Sequence, residues 1–351
     1  MPFPYIYLYS LNMRQNNFDF LRLCFALFVV ISHSFGISID NTSDWLHQLT
    51  NGQISLSYLG VKGFFVISGY LVFQSQQRSK NIFDYFKKRV LRIFPGLFVM
   101  LLLTVIFCAL VYQGTTGYFN EKSMWTYLPN NLSLYHQHFI IKGVFENNPY
   151  PAVINLPLWT IPYEFTCYII LSLLFIVKGK GKSVFVIAAL LILLITKLAF
   201  YNQVQDLIFL LKAVDLINFT IYFFAGLFLA LLKIQSTKHN YIISLIIIAI
   251  LILSVILKVF DEVQYFTLPV LIILFGLSNT KFISGLGEKI GDMSYGIYIY
   301  AFPIQQFLMH YYKLNSIQLI ISSVILSVIC GYLSWHLVEK RALKFKKADL
   351  N

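Results

Sequence analysis

Ten apolar stretches, each about as long as a bilayer is thick, leave this chain little choice of fold. They fall at about 18–37, 57–74, 92–113, 158–177, 183–200, 216–233, 240–258, 263–279, 293–312 and 316–337. Crossing ~30 Å of hydrocarbon takes about 20 residues of helix, so the pattern reads as an all-α, polytopic membrane bundle of about ten transmembrane helices. Only 12% of the residues are charged, about half the share of a soluble globular chain. The expected division is an N-terminal extension over 1–15, a transmembrane domain over 16–340 and a basic tail over 341–351. No signal-peptide pattern opens the chain, since the first apolar run lacks a small-residue cleavage site. Residues 1–12 read as a short extension, or as sequence ahead of a true start at Met13.

Net charge is +12, and its distribution orients the bundle instead of implying nucleic acid. Loop 75–91 holds Arg78, Lys80, Lys87, Lys88 and Arg89; the turn at 178–182 is KGKGK; the tail holds Lys340, Arg341, Lys344, Lys346 and Lys347. On the opposite side, loop 38–56 has no lysine or arginine, and loop 114–157 has only Lys122 and Lys142. Basic loops face the cytoplasm, which puts both termini there. Segment 205–215 carries Asp206, Lys212 and Asp215 and reads as a re-entrant piece, an interfacial helix or the start of a longer tilted span. The cysteines Cys24, Cys108, Cys167 and Cys330 all fall in apolar spans without metal-ligand spacing and read as small buried hydrophobes.

Against this apolar background the ionisable residues stand out. The first span, FDFLRLCFALFVVISHSFGI, carries Arg22 and His33. A charge at mid-bilayer costs at least ~2.5–3.5 kcal/mol, so such residues face a protein interior or a water-filled cavity. Eleven residues at about 100° each bring the two onto one helix face, roughly 16 Å apart along the axis. Glu164 sits about one turn into the fourth span from the lysine-poor side, at a depth similar to His33, so an imidazole–carboxylate pair is expected. It would otherwise lie near enough to the surface to stay solvated.

Other segments carry weaker signals. Ser68-Gly69 in the second span suits close helix packing and a hydrogen bond. Arg89 and Arg92 share a helix face, and with Lys87 and Lys88 they suit either positive-inside anchoring or a phosphate-rich cytosolic ligand. Pro95 is expected to kink the third helix or mark its start. Trp159 suits the interfacial aromatic belt. Asp292 or Ser294 would cap the ninth helix, where Tyr295, Tyr298 and Tyr300 follow and Pro303 is a kink site. His136 and His138 form an H-x-H pair with no acidic or further histidine partner at fixed spacing, so no metal site is expected.

Five pieces occur in a telling order: RLCFALFVVISH, FFVISGYL, KKRVLRIFP, LWTIPYEF and SYGIYIYAFPI. Together they resemble the acyltransferase-3 family of membrane acyltransferases, which includes bacterial O-acetyltransferases of surface polysaccharides, over roughly residues 16–340. The resemblance implies a multi-pass protein of the bacterial inner membrane. It also implies acyl-CoA, usually acetyl-CoA, as co-substrate with no bound cofactor, and a saccharide hydroxyl as acceptor, free or lipid-linked. Functional residues carried across are His33, Arg22, Arg89 and Arg92. Many members have a histidine just before the Phe-Pro of the ninth span, where this chain has Ala301. The absence of an SGNH-type domain points to the stand-alone branch.

The combined expectation is a division of labour. Arg89, Arg92, Arg22, Lys87 and Lys88 hold the phosphates of acyl-CoA at the cytoplasmic face. His33 acts as general base, because histidine's pKa lies near neutral pH, and Glu164 orients it. Ser68, Trp159 and Tyr298 complete the candidate substrate-binding set. The competing class is a transporter or flippase of a lipid-linked saccharide, although no duplicated half is visible.

Overall fold

A computed structural model describes residues 16–115, 117–177, 179–200, 207–208, 210–234, 239–281 and 283–346. The proposed extension over 1–15, Lys178, Asp206 and the tail from Lys347 onward lie outside the described residues. Helices used below are α1 (Phe18–Ile37), α2 (Leu56–Gln77), α3 (Ile82–Cys108), α4 (Lys122–Leu132), α5 (Ile161–Ser172), α6 (Gly181–Phe200), α7 (Ala213–Leu231), α8 (His239–Ile256), α9 (Phe260–Leu277), α10 (Ser294–Tyr312) and α11 (Ser316–Ser334). All ten expected spans are helical. Among the described residues, eight helical segments are long and apolar enough to cross a membrane. The two that fall short are α8, whose apolar stretch Asn240–Ile256 is shorter, and α10, which carries Gln305, Gln306 and His310.

Small residues set the helix packing. A Cβ added at Gly69 of α2 would fall 1.9 Å from the Phe223 carbonyl oxygen of α7, and one at Gly226 of α7 would fall 2.1 Å from the Val66 oxygen of α2. Without side chains at these two positions the backbones come into direct contact, the close approach expected of the Ser68-Gly69 pair. The helix pair forms the centre of the bundle: α7 is 67% buried over its most apolar window, whereas α6 is 6% buried and turns its side chains outward.

Two local expectations change. The third helix starts at Ile82, ten residues before the apolar run, because Asn81 caps it by accepting from the Asp84 amide. Its first turns carry the basic cluster beyond the apolar slab, and Pro95 falls inside the helix instead of at its start. Segment 205–215, where described, is no interfacial helix: Leu207–Ile208 pairs antiparallel with Leu211–Lys212, and from Ala213 the segment is the start of the α7 span, as one of the three readings has it.

The long loop on the lysine-poor side folds as a cap. It contains α4 and is tied down to α10 by Asn155 Nδ2 donating to the Ile299 oxygen (2.8 Å) and Asn148 Nδ2 donating to Gln306 Oε1 (2.8 Å). Gln306 in turn donates to the oxygens of Tyr150 and Val153. Residues 134–139 of this cap roof the cavity described next, and the stretch 156–163 leading into α5 walls it.

Candidate active site

His33 lines a cavity of about 640 Å³ that opens on the lysine-poor side. Its floor comes from α1 and α2, its roof from Leu134, Tyr135, Gln137 and Phe139, and its far wall from Trp159, Pro162 and Tyr163. The imidazole meets the Phe302 ring edge-on, with centroids 5.5 Å apart. Among the described residues no side chain hydrogen-bonds to it, which leaves its ring nitrogens for a ligand. Trp159 is a cavity wall packed edge-on against Tyr163 at 5.5 Å, not only an interfacial belt residue. Aromatic walls with scattered polar groups suit a sugar ring, whose faces are apolar and whose edges are hydroxylated.

Deeper along the same face of α1 lies a smaller void of about 60 Å³, lined by Arg22, Phe64, Glu164, Tyr295 and Tyr298. The helical arithmetic for Arg22 and His33 therefore holds, because the two open into successive cavities. Val61 and Tyr298 belong to both linings and form the partition. The Tyr298 hydroxyl sits 2.7 Å from Thr160 Oγ1 and 3.0 Å from the Pro157 carbonyl oxygen, and the ring packs edge-on against Phe64 at 5.8 Å.

The expected His33–Glu164 pair does not form. Glu164 Oε1 accepts from Ser68 Oγ at 2.9 Å and from the Tyr168 hydroxyl at 2.5 Å. One turn of α5 brings Tyr168 beneath Glu164, and the Gly69 contact holds the α2 backbone where Ser68 can reach it. Two donors satisfy the carboxylate, so it faces the Arg22 void instead of the His33 cavity.

On the lysine-rich side the arginines divide into two groups. Arg22 and Arg92 both bind Asp292 Oδ2, at 2.5 and 2.6 Å, and Arg92 also reaches Glu339 Oε2 at 3.3 Å. Asp292 is thus not the N-cap of α10: Met293 occupies that position without a side-chain cap bond, and the Asp292 carboxylate turns to the two guanidiniums. Burial alone would raise its pKa, but Arg22 and Arg92 outweigh burial and hold it at about 2. Glu339, 1% exposed, completes a chain of two cations and two anions joining α1, α3, α10 and the end of α11.

Arg89 belongs to the second group. It donates to Ser75 Oγ at 3.0 Å and lies over the rings of Tyr85 and Tyr168, 5.9 and 5.7 Å from their centroids. Among the described residues it has no carboxylate partner, and its buried Nε has no hydrogen-bond acceptor. Lys88 is engaged by Asp84 at 2.7 Å and Ser79 at 3.0 Å. Lys346 feels the surplus positive charge: burial, then Arg89, Arg92 and Lys88, push its ammonium down to about 7. An orphaned guanidinium nitrogen among repelling cations is an environment that an anion would relieve.

Sequence reasoning missed Glu339, Thr160, Tyr168 and the bridging role of Asp292. Only Asp292 carried a signal, as a carboxylate beside a span, and that signal fitted an N-cap equally well. Among the described residues no group of three or more metal-binding side chains exists; His138 of the H-x-H pair instead meets Asn130 at 3.0 Å.

Comparison with known proteins matches this arrangement to a family. The chain is 27% identical over 335 residues to an O-acetyl transferase of Shigella phage Sf6, covering 94% of this chain and 96% of that protein. It is 34% identical over 194 residues to Nodulation protein 10 of Rhizobium leguminosarum bv. viciae, half the length of each. No solved structure matches it. Residues 15–336 match the acyltransferase-3 family model, described as an acyltransferase domain, and this multi-pass membrane protein therefore belongs to that family of acyltransferases.

Proposed function

We propose that the protein is an O-acetyltransferase of the bacterial inner membrane, taking an acetyl group from acetyl-CoA at its lysine-rich face and delivering it to a saccharide hydroxyl in the cavity before His33. The observation that carries this reading is the pair of successive cavities on one face of α1, with cations at one end and an unengaged imidazole at the other. The name of the phage relative supports the acyl group and the ester product.

In this reading Arg89, with Lys346 nearby, receives the phosphates of the donor. Arg22 and Arg92, already bridged by Asp292, shape the entrance and contribute less binding. The thioester reaches toward Tyr298. His33 removes the proton from the acceptor hydroxyl while its oxygen attacks the thioester carbonyl; the C–S bond breaks, and the departing thiolate takes the proton from the imidazolium. Glu164, held by Ser68 and Tyr168, places negative charge beside the path and fixes α2 against α5. Membranes containing the protein are incubated with radiolabelled acetyl-CoA and surface glycan: label in the glycan supports the acyltransferase reading. Glycan translocation without label transfer would support a transporter and overturn it.

A further inference from the structure

A second cavity of about 510 Å³ lies beside the first on the same side of the bundle. Ser57, Tyr58, Asp215 and Phe219 line both, so the first turns of α2 and α7 form a shared rim. Its inner wall holds Lys62, a half-buried cation within a span that the proposed reaction does not use. Lys62 Nζ donates to Gln264 Oε1 at 2.7 Å, the Tyr222 hydroxyl donates to the same oxygen at 2.8 Å, and Gln264 Nε2 donates to Asp261 Oδ1 at 2.7 Å. The ammonium also lies over the Tyr58 ring, 5.4 Å from its centroid. Among the described residues no carboxylate lies within ion-pair distance of Lys62, so two of its three donors are not committed to a protein oxygen.

The charge balance of the lining narrows the ligand. Two lysines, Lys62 and Lys197, face two carboxylates, Asp215 and Asp261. A polyanion would meet both carboxylates, and an apolar ligand would strand the fixed polar groups. A neutral sugar hydroxyl both donates and accepts, and it finds partners of each kind here. Each cavity alone falls within the size range of a small-molecule site, and the pair side by side exceeds the needs of one sugar ring. We infer that the Lys62 cavity is a subsite for the sugar residue adjacent to the one acylated at His33, so that the acceptor is an oligosaccharide or polymer, recognised over at least two residues. This inference rests on the acetyltransferase reading above.

The test uses the full-length protein in membranes, labelled acetyl-CoA, and the deacylated surface glycan of the host. The glycan is supplied as oligomers and as the monosaccharides released from it by acid hydrolysis. The wild type is expected to show a KM for oligomers at least about tenfold below that for monosaccharides, a difference of one decade in binding. Lys62→Met should erase most of that preference while leaving monosaccharide kcat/KM within about twofold, since it removes only binding to the second residue. His47→Ala, at the cavity mouth in the loop helix Trp45–Leu49, tests the same subsite without touching a buried network. Equal KM for monomer and oligomer in the wild type would overturn the subsite alone, as would variants that lose both acceptors in parallel. Failure of the wild type to label either acceptor would overturn the acetyltransferase reading first.

Discussion

The hydroxyl of Tyr298 lies 2.7 Å from Thr160 Oγ1, and the ring behind it separates the Arg22 void from the His33 cavity. In the proposed reading, an acyl group entering from the lysine-rich face passes this ring to reach the imidazole. Tyr298→Ala is expected to merge the two spaces and admit longer acyl chains. Each methylene accepted or refused by such a pocket is worth about 10–200-fold in discrimination, so the kcat/KM ratio for butyryl-CoA over acetyl-CoA should rise at least about tenfold. Tyr298→Phe keeps the ring and loses only the bonds to Thr160 and Pro157, and it should leave the ratio within about twofold. Wild-type donor selectivity in the alanine variant would show that the ring is not the constriction.

His33→Ala removes the proposed base without disturbing a side-chain hydrogen bond, since the imidazole makes none among the described residues. Positioned proton transfer contributes ~10²–10⁴-fold, and acetyl transfer should fall by that factor. Because the cations proposed to hold the donor lie at the Arg22 end of α1, the KM for acetyl-CoA should change little. Initial-rate kinetics on membranes with matched protein levels decide the point. Near wild-type turnover by the variant would sink the assignment.

Asp292 is expected to matter for stability as well as for activity. Asp292→Asn leaves Arg22 without its ion-paired carboxylate and Arg92 paired with Glu339 alone, at side-chain exposures of 15–20% for the Asp292 pairs. Charged hydrogen-bond partners left unsatisfied in such surroundings cost about 1–3 kcal/mol, visible as a lowered Tm of the detergent-solubilised protein. The double variant Asp292→Asn/Arg22→Gln should recover part of that loss, which is the signature of direct coupling. The pH dependence follows from the depressed carboxyl, held at about 2 in the fold against roughly 3.9 when unfolded. Its contribution is complete above about pH 4 and is lost as pH falls through 2. The wild type should therefore destabilise across that window more steeply than Asp292→Asn; parallel acid curves would refute the linkage.

The legible and illegible parts of the molecule divide by the range of the interaction that sets them. Helices α1, α2, α5, α7 and α11 were readable because a span is a local property of about 20 residues. The common face of Arg22 and His33 was readable because helical periodicity is local too. The start of α3 at Ile82 was not, because a capped, basic amphipathic turn extends beyond the apolar run and hydropathy alone stops at the membrane edge. The partner of Glu164 was hidden for a different reason. Depth put it level with His33, but azimuth decided the outcome: Tyr168, four residues on, and Ser68, across the Gly69 contact, take the carboxylate. Asp292 bridges residues 270 and 200 positions away in sequence, a relationship that no local pattern contains. The cavity around Lys62 depends on how α2, α7 and α9 converge, and a lone lysine in a span did not disclose it.

In the proposed reading Lys346, beside Arg89, makes donor binding pH-dependent. Lys346 sits at about 7 because burial and the neighbouring cations Arg89, Arg92 and Lys88 disfavour its charge. Below that value it is already protonated, and a polyphosphate donor gains one more cation at no cost. Above it, the neutral amine must take up a proton as the anion binds, so affinity for acetyl-CoA should weaken as pH rises through 7. By linkage the slope approaches at most about tenfold per pH unit. Lys346→Met should flatten this profile, while Lys346→Arg, charged throughout the range, should flatten it at the high-affinity level. Arg89→Gln should raise the KM for acetyl-CoA by about 10-fold or more, the size of one lost charge-assisted contact, with kcat less affected because the change lies far from His33. Binding measured by isothermal titration between pH 6 and 8.5 checks both residues. A pH-independent Kd in the wild type would remove Lys346 from the donor site and leave Arg89 to be judged by its KM alone.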